Sequence, residues 1–225
     1  MPESRIIALI PANNEQAHIG AVVTGACQYL PVLVVDDGSK DDTARIAEEA
    51  GARVLRQTPN QGKGAALIAG FKQCMSEGIE AVVMLDGDGQ HDPAEIPKFL
   101  ESYASQPVGM IIGQRDYAQM PLFRRTTNTF GRWMISLALG QPIPDNQSGY
   151  RLVSHTLLDR LLDNPEKGFE LEVDMITICL KQNLGLAWVP IRTIYADQAS
   201  HIRPLRHLVN YFRIVIKAWR TMHSA

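Results

Sequence analysis

Short apolar runs alternate with amphipathic segments through the first half of the chain. Five runs are rich in aliphatic residues: RIIALI (5–10), VLVVD (32–36), ARVLR (52–56), AVVMLD (81–86) and VGMIIG (108–113). The segments between them have helical spacing, as where Leu67, Phe71 and Met75 recur every four residues. Apolar runs bounded by turn residues predict buried strands, and a spacing of four predicts helices.

This alternation predicts an α/β protein with a mostly parallel central sheet and helices on both faces, because strand–helix–strand units connect through right-handed crossovers. The second half is less regular, with helical spacing over about 121–139 and 170–183, a strand over 185–195 and a final helix over about 204–222. The sequence contains neither an internal repeat nor a Gly/Ser linker. We therefore predict one domain over residues 1–200, followed by a basic amphipathic helix over 201–225.

A polar segment follows each of the five predicted strands: PANNE, DDGSKDDT, NQGKG, DGDGQHD and GQRD. The carboxyl ends of parallel strands share one edge of the sheet, and ligands bind at that edge. Any single segment of this composition is an ordinary surface turn. Five at one edge, two of them with paired carboxylates, indicate a binding site.

The segment after the fourth strand carries Asp86, Asp88 and Gln90 at every second position. Alternate side chains on an extended backbone point to the same side, and clustered carboxylates repel one another unless a cation or donors compensate. A calcium EF-hand is excluded because its glycine and glutamate positions hold His91 and Pro97. Mg²⁺ or Mn²⁺, held by carboxylates and by a substrate diphosphate, is the favoured interpretation.

Other charged residues at this edge are candidates for ligand binding. Asp37 ends the second strand, where a carboxylate can accept the N–H of a nucleobase, and Ser39 is predicted to cap the helix that follows. Lys63 and Arg115 lie in neighbouring segments and can neutralise phosphate oxygens. His91 is interpreted as structural rather than as a catalytic base.

These segments resemble the blocks of family 2 glycosyltransferases, which have the GT-A fold. PANNE resembles the P-x-x-N-E opening, VVDDGSKDDT the V-D-D-G-S-x-D-x-T block, and LDGDGQHDP the D-x-D-x-Q-H-x-P block. NQGKGAALIAGF, GQRD, RRTTN, DNQSGYR, GFELEVDM and GLAWVPI then follow in the order of the polyprenol (dolichol) phosphate mannose synthases. The resemblance covers about residues 6–200. It implies an enzyme that moves a hexose from a GDP- or UDP-linked sugar to a lipid phosphate with Mg²⁺ or Mn²⁺.

The resemblance also implies a role for each matched residue. The residues expected to hold the nucleotide are Pro11, Ala12, Asn13, Glu15, Val35 and Asp37, with the backbone of Gly87 close by. Those expected on the divalent ion and the diphosphate are Asp86, Asp88 and Gln90, and the arginine that the family has after the fifth strand corresponds to Arg115.

On the acceptor side, Arg124 is expected to face the acceptor phosphate, with Asn128 where the family has serine. Asp145, Ser148 and Gly149 match the D-x-x-S-G block that shapes the floor of the acceptor pocket. The catalytic set that we predict is therefore Asp88, Arg115, Arg124 and Asp145.

Two departures from the mannose synthase branch bear on the substrate. Where that branch has a closing R-x-x-G-x-S-K loop, this chain has ADQASH (196–201), so Ala196 and His201 replace the arginine and the lysine while Ser200 is kept. Arg203 and Arg206 are candidates for the missing charge, and the sugar and the base stay open. The Q-x-x-R-W signature is absent from the sequence, which argues against a polysaccharide polymerase.

The implied reaction is a direct displacement that inverts the anomeric carbon. A lipid phosphate attacks without a base, whereas a sugar hydroxyl, the alternative acceptor, needs one, for which Asp145 is the candidate. A nucleotidyltransferase would need a G-x-G-T-R-x-x-P loop where the chain has PANNEQAH. A non-catalytic protein that binds sugar nucleotides is the remaining alternative, although the intact set of metal ligands favours turnover.

Composition bears on location. The chain has 225 residues, 45% of them apolar, a net charge of -2 and three separated cysteines, Cys27, Cys74 and Cys179, interpreted as buried thiols. No apolar run approaches the roughly 20 residues of a membrane span. We therefore expect a cytoplasmic protein that does not span the membrane and has no nucleic-acid partner.

The C-terminal segment is a separate electrostatic unit, because residues 198–225 carry 5 Lys/Arg and no acid. Its apolar positions recur at spacings of three and four: Leu205, Leu208, Val209, Phe212, Val215, Ile216, Trp219 and Met222. Such a helix either packs its apolar face on the domain or lies on an anionic cytoplasmic membrane. In the second case the basic residues face the headgroups: Arg206, Arg213, Lys217 and Arg220.

Overall fold

The computed structural model describes residues 5–116, 122–166, 168, 170–192, 194 and 204–223. For residues 122–125, 127 and 204–210 within these ranges it describes the backbone and not the side chains. The strands are β1 (Ile6–Ala12), β2 (Val32–Asp37), β3 (Arg53–Gln57), β4 (Ala81–Met84), β5 (Met110–Arg115), β6 (Arg151–Ser154) and β7 (Leu186–Ile191). The helices are α1 (Ile19–Ala26), α2 (Thr43–Glu49), α3 (Lys63–Ser76), α4 (Ile96–Ser105), α5 (Leu122–Leu139), α6 (His155–Leu161), α7 (Glu170–Lys181) and α8 (Pro204–His223). A 3-10 helix, Pro93–Glu95, precedes α4.

The strands form one seven-stranded sheet in the order β3-β2-β1-β4-β6-β5-β7. All pairs are parallel except those of β6, which runs antiparallel to both β4 and β5. The mostly parallel sheet that we predicted is confirmed. Because β6 runs in the opposite direction, the segment that precedes it, residues 145–150, lies at the same edge as the loops that follow β4 and β5.

Alternate strand residues enter two apolar cores, one on each face of the sheet. Leu9 belongs to the core under α3 and α5–α8, whereas its neighbours Ala8 and Ile10 belong to the core under α1, α2 and α4. Strands covered on both faces must be apolar on both, which is why they appear as continuous apolar runs rather than alternating ones. This packing fixes the sheet edge on which the polar loops converge.

The structure departs from the sequence predictions in three local features. β6 and α6 were not predicted as separate elements, because each is short. Cys74 and Cys179 are buried as expected, but Cys27, at the end of α1, is exposed. The prediction that Ser39 caps α2 is wrong: the helix begins at Thr43, and the Asp41 carboxylate accepts the Thr43 N–H at 3.0 Å.

The final helix α8 divides its apolar residues between two directions. Val215 and Ala218 are buried in the core, where α8 packs on α5 and α7. Phe212, Ile216 and Trp219 are exposed. The expectation of a single apolar face is therefore corrected. None of the helices in the described part of the chain combines the length and the apolar composition that a bilayer crossing requires.

Candidate active site

The loops after β1 and β2 are joined by hydrogen bonds between them. Asn13 donates its side-chain N–H to the Asp37 carbonyl at 2.7 Å, and the Glu15 N–H donates to Thr43 Oγ1 at 2.7 Å. Pro11 and Ala12 close β1, where Pro11 pairs with Val35 of β2. The structure thus brings the residues expected to hold the nucleotide together at one edge of the sheet.

Asp37 is buried, and its carboxylate orders the next loop. Its two oxygens accept the backbone N–H groups of Gln61 and Gly62 at 2.8 and 2.7 Å. Gly62 has a φ of 98°, a left-handed conformation that favours glycine, directly before α3 begins. Asp37 therefore fixes the entry to α3, and its contact with a nucleobase stays a prediction.

The loop after β4 presents Asp88 through a local turn. Asp88 accepts the backbone N–H of Gln90 at 3.0 Å and its side-chain N–H at 2.9 Å. The Asp86 N–H donates to Nδ1 of buried His91 at 3.0 Å. Burial lowers the pKa of His91 despite the nearby Asp86 carboxylate, so the ring is neutral and its acceptor nitrogen holds the loop. His91 is thus structural, as interpreted from the sequence.

Lys63, the first residue of α3, joins two carboxylates. Its Nζ lies 2.7 Å from Asp86 Oδ1 and 2.9 Å from Glu172 Oε1 of α7. Burial alone would lower the pKa of Lys63, but Asp86 and Glu172 outweigh it, and the pKa is raised. Burial would raise the pKa of Asp86, yet the Lys63 ammonium holds it at about 2. Both partners are therefore charged at neutral pH.

Arg151, the first residue of β6, is fully buried behind this pair. Its guanidinium donates to the carbonyls of Ser148 at 2.8 Å and Asn146 at 3.2 Å, and also to the Glu172 carbonyl. Burial lowers the pKa of Arg151, with the Glu172 and Asp145 carboxylates acting in the opposite direction. Arg151 thereby ties the segment before β6 to α7.

Arg115, at the end of β5, and Asp145, before β6, form a bidentate ion pair. Arg115 Nε and Nη2 lie 2.7 and 2.9 Å from the two oxygens of Asp145, which is completely buried. Asp145 also accepts the N–H groups of Gln147 and Ser148 at 3.1 and 3.2 Å. A carboxylate with this many donors is stabilised in its ionised form, so this geometry makes Asp145 a weak base and a holder of Arg115.

The loop after β4 and the segment before β6 meet at Gly149. A Cβ at this position would lie 3.0 Å from Asp86 Oδ2 and 3.2 Å from Lys63 Nζ. Nothing larger than glycine therefore fits without moving the ion pair. Beside it, Ser148 Oγ is buried and has no hydrogen-bond partner among the described residues.

The donor set around Asp88 suits a hard divalent cation. Burial and the charges of Asp88 and Asp86 raise the pKa of Glu15, which shows that negative charge accumulates here. Within the described ranges, no three His, Cys, Asp or Glu side chains are arranged as a complete metal cage. Mg²⁺ and Mn²⁺ do not need such a cage, because one or two carboxylates with substrate phosphates and water complete their shells. The residues present fit such an ion.

Some predicted site residues lie outside the described part of the chain. The Arg124 side chain is one of these, as are Ser200, His201 and Arg203. Asn128, one turn after Arg124 in α5, is half-buried. The roles expected for these residues stay predictions.

Sequence reasoning missed Glu172 and Arg151 as parts of the site. Glu172 lies in an otherwise apolar stripe of α7, one turn before Met175 and Ile176, and a carboxylate on such a stripe is a recognisable signal. Arg151 opens a four-residue strand that was itself not predicted. Nothing in the local pattern separates it from an ordinary surface arginine.

The chain is similar along most of its length to enzymes that glycosylate lipid phosphates. It is 29% identical over 222 residues to a UDP-N-acetylglucosamine–dolichyl-phosphate N-acetylglucosaminyltransferase of Methanococcus voltae, covering 88% of each chain. It is 30% identical over 210 residues to a polyprenol monophosphomannose synthase of Mycolicibacterium smegmatis, covering 84% of this chain and 77% of that one.

The fold also resembles that of a solved GT-A glycosyltransferase. The crystal structure of the glucosyl-3-phosphoglycerate synthase of M. tuberculosis superposes with a TM-score of 0.70 at 25% identity, covering 96% of this chain and 80% of that one. The profile of glycosyl transferase family 2 matches residues 7–162, more than half of the chain. With the GT-A sheet and the acidic loop at its edge, this match shows that the chain is a glycosyltransferase and belongs to glycosyl transferase family 2.

Proposed function

We propose that this enzyme transfers a hexose from a GDP- or UDP-linked sugar to a polyprenyl phosphate, with inversion and with the help of Mg²⁺ or Mn²⁺. The observation that carries the proposal is the contact between Gly149 and the Lys63–Asp86 pair. This close approach of the segment before β6 to the loop after β4 supports a donor site and an acceptor site that share one point. The relatives described above, named for dolichyl and polyprenol acceptors, support the acceptor class.

Asp88, with Gln90 and Asp86, would hold the divalent ion, which when bound neutralises charge on the leaving diphosphate. Asp88 is aimed by the two hydrogen bonds from Gln90. Lys63 balances Asp86 and adds a fixed positive charge beside it. Such preorganised charges need no rearrangement when the leaving group develops its charge, which is why they lower the barrier.

Arg115 is the cation proposed to face phosphate oxygens, and Asp145 fixes its orientation through two parallel hydrogen bonds. A phosphate acceptor is already anionic and attacks opposite the leaving group without a base. The buried Ser148 hydroxyl, which has no partner among the described residues, is available to an acceptor oxygen that approaches this segment. The lipid acceptor would place the enzyme at the cytoplasmic face of a membrane.

The test is transfer from a panel of GDP- and UDP-hexoses, with Mn²⁺, in the presence and absence of a polyprenyl phosphate. We expect lipid-dependent release of nucleoside diphosphate that chelation abolishes. Asp88→Asn should lower turnover at least about a hundredfold, the scale of losing a main electrostatic stabiliser. The matched control is Asp92→Asn in the same loop, because the Asp92 side chain accepts a local helix-capping bond from Ala94 N–H. Undiminished transfer without metal would refute the metal role, and transfer to sugar hydroxyls alone would refute the acceptor.

A further inference from the structure

We propose that Glu172 of α7 sets the affinity of the loop after β4 for its divalent ion, by holding Lys63 partly away from Asp86. This inference rests on the proposed function, because it concerns the ion that the proposed reaction uses. It goes beyond that function by assigning a role to a residue that lies outside the five polar loops. Glu172 is a positioning residue in this scheme, since it acts on the ion through Lys63.

Glu172 is an acid in an apolar setting. It is 5% exposed, and its neighbours Leu171 and Val173 belong to the core beneath α7. A carboxylate loses its hydration in such a place, so it is tolerated when a cation pairs with it. Lys63 is that cation, because its Nζ lies 2.9 Å from Glu172 Oε1. The charge of Glu172 is therefore directed at the first residue of α3.

Lys63 is shared between Glu172 and Asp86, since its Nζ also lies 2.7 Å from Asp86 Oδ1. An ammonium carries one charge and three donors, which lets it bind two carboxylates without neutralising both. The two carboxylates differ in access, because 27% of the Asp86 side chain is exposed, against 7% for Glu172. Asp86 is thus the one that a divalent ion reaches, and Glu172 the one that stays with Lys63.

Lys63 and a divalent ion are competitors for Asp86, because both are cations attracted to the same carboxylate. With Asp86 as its sole acidic partner, Lys63 would direct its whole charge at the residue that the ion needs. Glu172 takes up part of that charge and leaves Asp86 more negative. Partners of this kind, which act on a ligand residue rather than on the metal itself, commonly set metal affinity.

Packing holds Lys63 in this shared position. Its Nζ lies 3.2 Å from the point where a Cβ on Gly149 would be, so the segment before β6 closes that side. The Glu172 carbonyl accepts the guanidinium of Arg151, which is fully buried at the start of β6. This bond ties α7 to the same segment and fixes Glu172 relative to Asp86. A change of charge at position 172 consequently acts on Asp86 instead of being absorbed by a shift of the helix.

Asp174 provides a matched control on the same helix. It is 7% exposed, close to the 5% of Glu172, and its Oδ2 lies 2.6 Å from Lys217 Nζ of α8. Lys217 also lies 2.7 Å from Glu166, which corrects the expectation that it is free to face anionic headgroups. Asp174 and Glu172 are therefore two buried carboxylates on one helix, each paired with a lysine, one towards α8 and one towards the loop after β4. A merely structural role for Glu172 predicts that neutralising either acid has the same consequences.

The experiment is a titration of the full chain with Mn²⁺, followed by the electron paramagnetic resonance of the free ion. UDP or GDP is present and the acceptor is absent, so that no turnover enters the measurement. Glu172→Gln keeps the size of the side chain and an oxygen for Lys63 but removes the charge. It should raise the Kd for Mn²⁺ about tenfold, the scale of a lost partner of a ligand residue. Asp174→Asn should leave the Kd unchanged.

Two further variants test whether Glu172 acts through Lys63. Lys63→Met removes the competitor and should lower the Kd for Mn²⁺. In that background Glu172→Gln should no longer raise the Kd, because no ammonium is left to turn onto Asp86. Transfer supplies a second readout: Glu172→Gln should lose activity at subsaturating Mn²⁺ and regain it at saturating Mn²⁺, whereas Asp174→Asn should follow the wild type at both.

Three results would overturn the proposal: an unchanged Kd in Glu172→Gln, an equal rise in Asp174→Asn, or a rise of the same size in the Lys63→Met background. If Glu172→Gln does not fold, as judged by circular dichroism, Lys63→Met decides, because a Kd that does not fall there refutes the competition. Failure of the proposed function would be visible separately. The expected order of Kd values without transfer to a polyprenyl phosphate refutes the acceptor alone, whereas Mn²⁺-dependent transfer with a Kd independent of Glu172 refutes this inference alone.

Discussion

If Lys63 and Glu172 form an ion pair, replacing Lys63 should lower the free energy of unfolding more than replacing Glu172 does. Glu172 is almost fully buried, and Lys63 Nζ is shared between it and Asp86 at 2.9 and 2.7 Å. Lys63→Met removes the cation that lies between the two carboxylates. Removing one partner of a buried pair costs about 3–5 kcal/mol. Because 27% of the Asp86 side chain is exposed, we expect the lower end, about 3 kcal/mol.

The substitution of Glu172 should lower the free energy of unfolding by less. Glu172→Met removes one acceptor from Lys63, which keeps Asp86, so we expect a loss of about 1.5 kcal/mol, the value of one charged hydrogen bond. The double variant has no uncompensated charge at 172 and should lose about 2–3 kcal/mol. The two single losses therefore exceed the double loss by about 2 kcal/mol.

The assay is urea unfolding of the four proteins at pH 7, followed by far-UV circular dichroism. Coupling within about 0.5 kcal/mol of zero would refute the reasoning, since independent sites add within that range. Mn²⁺ provides a further check. In Lys63→Met a divalent ion replaces the lost cation beside Asp86, so Mn²⁺ should raise the unfolding midpoint more than in the wild type. An equal shift would mean that Lys63 does not act on the metal loop.

Three further predictions concern single residues. Asp37→Ala should lower the free energy of unfolding by about 2 kcal/mol, because it leaves two loop N–H groups unpaired, and should weaken nucleoside diphosphate binding in calorimetry; unchanged affinity would remove Asp37 from the site. Gly149→Ala should lower transfer at least about tenfold with little change in Tm, since its Cβ would meet the end of the Asp86 side chain; full activity would contradict the close approach. Arg53 holds the pKa of Glu77 at about 2, below its ordinary value of 4.5. Glu77→Gln should therefore lower the free energy of unfolding in urea by about 1 kcal/mol at neutral pH, and this difference should disappear as the pH falls from 4.5 toward 2. A difference of the same size at low pH would argue against the ion pair.

Three of the strands that the sequence revealed have simple surroundings. β1, β2 and β4 are covered on both faces, so their apolar runs stand out whatever their partners are. β6 is four residues long and begins with Arg151, so it merged with the polar segment before it. Its strand character comes from its pairing with β4 and β5, which no local pattern contains.

The site residues also differ in whether local sequence reveals them. Asp86, Asp88 and Gln90 were predictable because their spacing alone puts them on one loop at a known edge. Glu172 and Arg151 act through partners distant in sequence, 109 positions from Lys63 in the first case and 21 from Glu172 in the second. Buried charges are tolerated only when paired, and the pairing is a property of the folded chain.

The α8 helix illustrates the limit for amphipathic patterns. Its apolar positions span a wide arc, which suits either a membrane or a core. The positions of α5 and α7, on which α8 packs, decide how that arc is divided, with Val215 and Ala218 inward and Trp219 outward. Packing on the domain, one of the two alternatives that the sequence left open, therefore applies to the inward part of the helix, and membrane contact by the outward part stays a prediction.

The ion pair at Asp145 connects the geometry to the choice of acceptor. A sugar hydroxyl has to lose its proton as it attacks, so that alternative needs a base with a usable affinity for protons. Asp145, the candidate for that role, is completely buried and accepts five hydrogen bonds from Arg115, Gln147 and Ser148 at 2.7 to 3.3 Å. Protonating it would break the Arg115 pair and leave a guanidinium uncompensated at the sheet edge. A phosphate acceptor makes no such demand, because it arrives already ionised and benefits from a fixed Arg115, so the same geometry that disfavours a base favours an anionic nucleophile.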